Sequence, residues 1–431
     1  MYSNPQRQFD FLKKIGFVRI CGTQEELTAA HMIMDEVSSI GFTPELEPFP
    51  ITRCAPVEAK LAVTEPVYQE FPVRGFFYAD PMDIEDQEFD FYYMEDTSPV
   101  SLQRAKGKFV LLNERPTNAE SYKKLYDAGI KGFLAMNGTI IDHREETDLP
   151  TGQLRPYYRK SGIMPALMIR MIDALELLKL QPTKVKITAK SEETTVTSHN
   201  VVVTVPGTDR PDEYIAIGAH YDSVEFSSGV WDNGAGVVMI LELLRYFKEH
   251  PPKRTLKFVF FGAEEIGLRG SDAYLRAHPE DVEKFLFMFN ADVGGNIIGS
   301  NTVMTTAVED LDGYVKAMAN QEGFPCTVVQ DVMSSDSAMF NDFGIPSLAF
   351  GRYCPHGAGF MHTRYDMISL LSPEAFTPMT EFLLTIAEKM INSEVFPIEK
   401  SIPQKHQDLI VKRYAHFDCM TAKKREQEKN H

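Results

Sequence analysis

The sequence predicts an α/β protein in which a mostly parallel mixed sheet carries helices on both faces, with a separate β-rich module inserted before it. From Asn200 onwards, near-continuous apolar runs of the buried-strand type alternate with helix-like segments, as in TLKFVFFG and GVVMILELLRYFKE. Such alternation is typical of parallel sheets that are covered on both sides. Residues 55–190 contain shorter strand-like runs, which indicates a different module. A chain of 431 residues is long enough for two or three domains.

Two helices are predicted before the inserted module. Residues 5–20 have a helical pattern, and residues 24–41 have the pattern of an amphipathic helix. Gly41 is a stop signal for the second helix. Apolar residues recur in that helix at steps of three or four, namely Leu27, Ala30, Met34, Val37 and Ile40. We therefore assign residues 1–54 to the N-terminal helical part of the main domain.

The inserted module is assigned to residues 55–190. Its strand-like runs include KLAVT, VRGFFY, KFVLLN and KGFLAM, and the segment ESYKKLYDAG between the last two is helix-like. The alternating strands and helices that follow form the main domain over residues 191–398. Residues 399–431 are a C-terminal tail that ends in AKKREQEKNH, and we assign it no function.

Composition and charge limit the partners and the compartment. The 44 Lys and Arg against 61 Asp and Glu give a net charge of −17, which opposes binding to nucleic acid or to an anionic membrane. The five cysteines form no C-x-x-C pair, so we expect reduced thiols. The first residues lack the apolar core of a signal peptide, and no apolar run is long enough for a transmembrane helix. We expect a cytoplasmic protein, or a secreted one if a leader has been removed.

Five residues of the metal-ligand type lie near the ends of apolar strand-like runs. They are His220, Asp232, Glu265, Asp292 and His362. In open α/β sheets, ligands bind outside the carboxyl ends of the strands, where most of these residues are expected. Two imidazoles and three carboxylates can hold two divalent metal ions if one carboxylate bridges them, and two-metal sites suit hydrolysis. The pattern therefore predicts a metallohydrolase.

Each of these residues also has a structural explanation when it is taken alone. His220 could be a core histidine, although Asp222 follows at the spacing of a partner that fixes its tautomer. Asp232 could belong to a turn or a helix cap. Glu264 and Glu265 could be the acidic first turn of a helix that begins at Ile266. Asp292 and His362 could be ordinary loop residues. Together these explanations require five coincidences at one edge of one sheet, so we favour the metal site.

The motifs GAHYDS, DNGAG, FVFFGAEEIGLRGS, AD-x-GG, SSDSAMF, GIPSLAFG and HTRYD resemble the signature series of the co-catalytic dizinc aminopeptidases. That family also contains glutamate carboxypeptidases, glutaminyl cyclases and a non-enzymatic receptor branch. The resemblance covers about residues 195–395. Residues 55–190 are similar to the protease-associated domain inserted in many members.

The resemblance implies specific roles for the residues at the predicted site. One zinc ion would be held by His220, Asp232 and Asp292, and a second by Asp232, Glu265 and His362. Glu264 would be the general base and would act on a hydroxide that bridges the two zinc ions. Asp222 is included with Glu264 in the catalytic set because it would orient His220. A cis peptide bond after Asp232 is also implied. Manganese or cobalt would satisfy the same ligands.

Some positions depart from the family pattern. Met361 precedes the last histidine, where many members have a tyrosine that stabilises the oxyanion, so Tyr353 and Tyr365 are alternatives. Trp231 stands where relatives usually have a small residue and could shape the substrate pocket. Ser337 stands where a histidine is frequent, which leaves the role of Asp336 open, and His356 competes with His362 as the last ligand. The residues whose roles the family pattern leaves open are therefore Met361, Tyr353, Tyr365, Trp231, Ser337, Asp336 and His356.

The expected function is therefore a zinc exopeptidase that removes N-terminal residues from peptides with a free amine. A carboxypeptidase or dipeptidase would need an arginine for the substrate's carboxylate, for which Arg269, Arg352 and Arg364 are candidates. A non-catalytic relative is the third alternative, but such proteins lack metal ligands that are all present here. Side-chain preference and oligomeric state are not predicted.

Overall fold

The computed structural model describes residues 2–78, 80–116, 118–154, 161–356 and 359–417. It divides the chain into two compact units. The larger unit consists mainly of Met1–Ile51 and Val196–Tyr414, and the smaller one mainly of Thr52–Thr195.

The strands are numbered along the chain. They are β1 (Glu45–Glu65), β2 (Gln69–Phe71), β3 (Phe76–Phe77), β4 (Asp83–Met94), β5 (Phe109–Leu112), β6 (Gly132–Asn137), β7 (Gly152–Gln153), β8 (Ala166–Arg170), β9 (Lys184–Val205), β10 (Arg210–His220), β11 (Arg254–Phe261), β12 (Phe285–Ala291), β13 (Ser300–Thr306), β14 (Cys326–Gln330) and β15 (Ser347–Tyr353). The α-helices are α1 (Pro5–Ile15), α2 (Gln24–Ile40), α3 (Pro99–Ala105), α4 (Ala119–Asp127), α5 (Met171–Lys179), α6 (Ala235–Glu249), α7 (Arg269–Ala277), α8 (Pro279–Lys284), α9 (Asp310–Glu322), α10 (Ser337–Asp342), α11 (Pro373–Ile391) and α12 (Gln404–Phe417).

The larger unit is built on a mixed sheet with the order β14-β13-β15-β12-β10-β11-β9. The neighbours β15, β12, β10 and β11 run parallel. Strand β9 pairs antiparallel with β11, and β13 pairs antiparallel with β15 but parallel with β14. Helix α6 is buried along almost all of its length, which explains its apolar sequence. The predicted fold class, a mostly parallel mixed sheet flanked by helices, is confirmed.

The two N-terminal helices begin where side chains cap them. Asn4 accepts a hydrogen bond from the backbone N–H of Arg7 at the start of α1, and Thr23 accepts one from Glu26 at the start of α2. Helix α2 ends at Gly41, whose φ of 93° suits glycine. The prediction of a helix over 5–20 is wrong at its end, because α1 stops at Ile15. The residues after it carry Arg19, which binds backbone carbonyls of the main domain, as described below.

The smaller unit contains a parallel sheet of β4, β5, β6 and β8, with β9 antiparallel to β4. Helices α3, α4 and α5 are also part of it, so this unit is α/β in character rather than only β-rich. The chain enters this unit after Ile51 and leaves it after Thr195, whereas the sequence analysis assigned the module to residues 55–190. Its identity as a protease-associated domain stays a prediction.

Three further sequence predictions concern membrane-spanning helices, the cysteines and the C-terminal tail. None of the helices in the described ranges is long and apolar enough to cross a membrane. Cys326 and Cys354 are free thiols, Cys21 and Cys54 are buried, and Cys419 lies outside the described residues. The tail begins as helix α12, and its charged end AKKREQEKNH is also outside the described residues.

Candidate metal centre

Three strand ends place the first candidate ligands at one edge of the sheet. His220 is the last residue of β10 and pairs with Phe261, the last residue of β11. Glu264 and Glu265 follow β11 closely, and Asp292 comes directly after β12. Because β10 pairs parallel with both β11 and β12, these strand ends meet at the same edge.

The local backbone excludes the capping explanations for the acidic residues. Asp232 lies in a single π-helical turn, Val230–Gly234, with non-helical φ and ψ, and the peptide bond to Asn233 is cis. Helix α6 begins only at Ala235 and has no side-chain cap. Helix α7 begins at Arg269, so Glu264 and Glu265 are not its first turn.

His362 comes from the loop after β15 and completes the group. Its φ is 60°, an unusual value for a residue with a side chain, and its imidazole is half-exposed at 51%. His356 is exposed and belongs to neither group of converging ligand atoms, so the structure favours His362.

The side chains converge into two groups that share Asp232. His220, Asp232 and Asp292 form one group, and Asp232, Glu265 and His362 form the other. Asp232 Oδ1 is 3.1 Å from Nε2 of His220, and Asp232 Oδ2 is 3.1 Å from Nε2 of His362. His220 Nε2 is also 3.5 Å from Asp292 Oδ1, and His362 Nε2 is 3.0 Å from Glu265 Oε2.

The spacing within each of the two groups suits a tetrahedral zinc ion. Ligand atoms about 2.1 Å from a tetrahedral zinc ion are about 3.4 Å from one another, which is close to the observed separations. Buried oxygens of Glu265 and Asp292 have no hydrogen-bond partner in the described part of the chain. Three carboxylates brought this close also repel one another unless cations compensate them. The donor set of imidazole nitrogens and carboxylate oxygens suits zinc and also manganese or cobalt.

The carboxylates and imidazoles of the site shift one another's pKa values. Burial raises the pKa of Glu264 well above its usual range, although the positive charge of His220 opposes this. Burial and the charge of Asp232 raise the pKa of Glu265 to about 7. Burial lowers the pKa of His362, but the charges of Glu265 and Asp232 outweigh it and raise the value to about 11.

Asp222 supports the centre mainly through the backbone. It is fully buried, and its two oxygens accept the backbone N–H groups of Glu264 and Glu265 at 3.0 and 3.2 Å. Its Oδ1 is 3.4 Å from Nδ1 of His220, which is long for a hydrogen bond. Asp222 therefore holds the turn that carries the two glutamates and touches His220 more weakly.

Asn233 and Asp366 fix the segment around Asp232 in the same way. The side chain of Asn233 accepts the N–H groups of Gly236 and Val293 and donates to the carbonyl of Ala291. Asp366 accepts the N–H groups of Trp231 and Asp232 at 2.8 and 3.2 Å. The sequence identified Asp366 only as the last residue of the HTRYD motif and indicated no role for it.

Arg19 was missed altogether by sequence reasoning. Its guanidinium is fully buried and donates to the carbonyls of Tyr221, Ser228 and Gly229, as well as to two carbonyls near the end of α1. Desolvation lowers its pKa to about 10, so it stays charged at neutral pH. It ties together the loop between His220 and Asp232.

The structure decides some of the remaining sequence hypotheses. Trp231 is only 2% exposed, packs on Phe360 and donates from Nε1 to the carbonyl of Arg352, so it forms part of the core. Asp336 is fully buried, and burial raises its pKa to about 7. Ser337 is the first residue of α10 and is buried.

Comparison with known proteins supplies the family. Residues 200–387 match the model of peptidase family M28. The matched stretch contains all five candidate metal ligands. This match confirms the resemblance described above and the expected enzyme class, a peptidase.

Relatives of this chain include aminopeptidase YwaD of Bacillus subtilis, which is 28% identical over 318 residues, covering 71% of this chain and 68% of that protein. A vacuolar membrane protease of Candida albicans is 32% identical over 187 residues, covering 42% of this chain and 22% of its own length. The chain thus spans only about a fifth of that protease.

Solved structures share the fold. BSAP, a zinc aminopeptidase from Bacillus subtilis, superposes with a TM-score of 0.76 at 23% identity over 93% of this chain and 99% of that one. An aminopeptidase from Aneurinibacillus sp. strain AM-1 gives 0.70 at 23% identity over 92% and 96%.

Proposed function

We propose that the chain is a zinc-dependent aminopeptidase that removes N-terminal residues from peptides. His220, Asp232 and Asp292 would hold one zinc ion, and Asp232, Glu265 and His362 a second. The names of YwaD and of BSAP, an aminopeptidase and a zinc aminopeptidase, support this activity.

The position of Asp232 carries the proposal. Each of its two carboxylate oxygens lies 3.1 Å from the imidazole of a different group. A carboxylate with one oxygen in each of two ligand sets is placed to bridge two ions, whereas a single-ion site would need neither the second oxygen nor the second histidine.

Glu264 is the residue placed to move the proton. It belongs to neither ligand group, and its Oε2 is 4.0 Å from His220 Nε2, beside the centre. Its side chain is 11% exposed, and burial raises its pKa, which suits a group that accepts a proton from water and returns it to the leaving amine. Zinc ions bound beside it would supply Lewis-acid chemistry, polarising the scissile carbonyl and making water more acidic.

The carboxypeptidase alternative has one fewer candidate arginine to bind the substrate's carboxylate. Arg352 donates to the carbonyl of Asn296 at 2.8 Å and to the side chain of Asn301 at 3.1 Å, so its guanidinium is already engaged in the fold. The site itself is rich in carboxylates, which suit a substrate's free α-ammonium group. We therefore favour cleavage at the N-terminus.

Hydrolysis of aminoacyl p-nitroanilides by zinc-loaded protein tests the proposal. Each substrate is measured beside its N-acetylated form and beside a sample treated with EDTA, and bound zinc is counted by mass spectrometry. We expect cleavage of the free-amine substrates only, abolished by EDTA, with two zinc ions per chain. Cleavage of the acetylated forms, or activity that survives complete metal removal, would refute it.

A further inference from the structure

The residue before His362 is Met361, whose thioether has no hydrogen to donate. A peptidase gains much of its rate from hydrogen-bond donors aimed at the carbonyl oxygen, because that oxygen becomes negative in the transition state. Met361 therefore supplies no such donor, and a side-chain donor that assists the zinc ions would come from another element of the chain.

Tyr353 ends a strand that leads into the metal centre. It is the last residue of β15, which pairs parallel with β12, the strand that precedes Asp292. The N–H of Asp292 donates to the carbonyl of Phe350 at 2.9 Å, and the N–H of Arg352 donates to the carbonyl of Val293 at 3.0 Å. These two bonds keep the end of β15 beside Asp292.

The ring of Tyr353 folds back over its own strand. A Cβ at Gly351 would lie 2.7 Å from Cε2 and 2.8 Å from the hydroxyl oxygen of Tyr353, which is closer than real contacts allow. The absence of a side chain at Gly351 thus leaves the space that the phenol occupies. Any larger residue there would displace the hydroxyl.

The hydroxyl is available as a donor. Among the described residues, its hydrogen-bond partner is Sδ of Met333 at 3.9 Å, and a thioether is a weak acceptor. A mostly buried tyrosine hydroxyl normally has a stronger partner. Burial raises the pKa of Tyr353, and the charges of Asp292 and Asp232 raise it further, so the phenol keeps its proton. The phenol lies over Gly351, whose neighbours in β15 are hydrogen-bonded to Asp292 and to the residue after it, so the hydroxyl lies beside the strand end that carries Asp292.

We propose that Tyr353 is a catalytic residue whose hydroxyl donates a hydrogen bond to the substrate's carbonyl oxygen as negative charge develops there. This inference rests on the proposed peptidase function. Tyr365 is the other tyrosine near the last histidine, but it is 45% exposed, and a donor in water contributes less than one in a buried site.

The test compares Tyr353→Phe with the matched variant Tyr365→Phe. Both remove one hydroxyl and keep the ring, and each is loaded with zinc and checked for metal content and thermal unfolding. For Tyr353→Phe we expect kcat to fall by about 10²–10³-fold, the usual effect of losing one oxyanion donor. KM should change by less than about threefold, since the interaction forms mainly in the transition state. Tyr365→Phe should behave as the wild type.

A binding measurement separates this role from pocket packing. A peptide phosphonamidate, which mimics the tetrahedral transition state, should bind Tyr353→Phe more weakly by a factor similar to the loss in kcat, while binding of a product amino acid stays unchanged. Gly351→Ala, which keeps the phenol but displaces its ring and hydroxyl, should cause a loss of the same kind.

The outcomes are distinct. If the wild type is active and Tyr353→Phe has the same kcat, the inference is wrong. It is also wrong if the loss of kcat appears in Tyr365→Phe instead. If Tyr353→Phe bound the phosphonamidate and the product amino acid more weakly by the same factor, Tyr353 would act only by packing, and the inference would be wrong. A wild type that binds zinc but neither cleaves the panel nor binds the phosphonamidate would overturn the proposed function, and this inference with it.

Discussion

Replacing Asp366 by Asn tests whether the bridging ligand is held through its backbone. Asp366 is fully buried, and its two oxygens accept the N–H groups of Trp231 and Asp232 at 2.8 and 3.2 Å. Oδ2 also accepts the hydroxyl of Ser227 at 3.3 Å. Asparagine has nearly the same shape but only one oxygen, so its amide nitrogen would face a backbone N–H that needs an acceptor.

The expected cost follows from this mismatch. A buried donor left without an acceptor costs about 1–3 kcal/mol. If the oxygen of the new side chain stays with Trp231, the N–H of Asp232 loses its partner, and the Asp232 segment can relieve the mismatch only by moving. We therefore expect the free energy of unfolding to fall by about 1–3 kcal/mol. Zinc affinity should fall by about 10–100-fold, as it does when groups that orient ligands are lost.

Two measurements check this result. Denaturant unfolding gives the change in stability, and competition with a chromophoric chelator gives zinc affinity. Asp212→Asn is the matched control, because Asp212 is 90% exposed and lies near the start of β10, opposite the end that carries His220. If Asp366→Asn kept wild-type zinc affinity, the backbone bonds from Asp366 would not be what positions Asp232, and the reasoning would be wrong.

Three further predictions concern other groups. Glu264→Gln should keep the fold and the bound zinc but lose about 10²–10⁴-fold in kcat, because the proton acceptor is gone; full activity would contradict its assignment as the base. Since the pKa of His362 is raised to about 11 without metal, zinc binding at neutral pH must release its proton. Calorimetry in buffers of different ionisation enthalpy should detect that proton, and its absence would argue against His362 as a ligand. Glu26 is fully buried, and burial raises its pKa from 4.5 to about 8. The folded protein therefore holds a proton that the unfolded chain loses above about pH 4.5, so Glu26 makes the wild type less stable as pH rises towards 8. Denaturation at several pH values should show Glu26→Gln gaining stability relative to the wild type over this range, and a constant difference would contradict the prediction.

Strand-end ligands could be predicted from the sequence because local patterns determine their position. His220 ends, and Asp292 directly follows, a run of apolar residues of the buried-strand type, and parallel strands bring their carboxyl ends together. Whether Asp232 caps a helix could not be decided in the same way. That depends on where α6 begins, and the structure places its first residue three positions after Asp232.

Residues that support the centre through backbone contacts could not be predicted, since their partners are distant in sequence. Asp366 binds the N–H of Trp231, which is 135 residues away, and Arg19 binds the carbonyl of Gly229, 210 residues away. Arg19 also lies within residues 5–20, which the sequence predicted as a helix. A buried arginine that satisfies carbonyls has no periodicity by which it could be recognised.

The supporting residues share a property that bears on how the centre works. Asp222, Asn233 and Asp366 hold the ligands by binding the backbone of the turns that carry them, not the ligating atoms themselves. The carboxylates of the centre repel one another before metal arrives, and the charge of Asp232 adds to the effect of burial in raising the pKa of Glu265. A side chain free to rotate would relieve such repulsion by turning away. Because the backbone of these turns is fixed, the side chains can turn away less, and the ligand atoms remain close enough to receive the ions. The energy needed to hold them together is provided by folding.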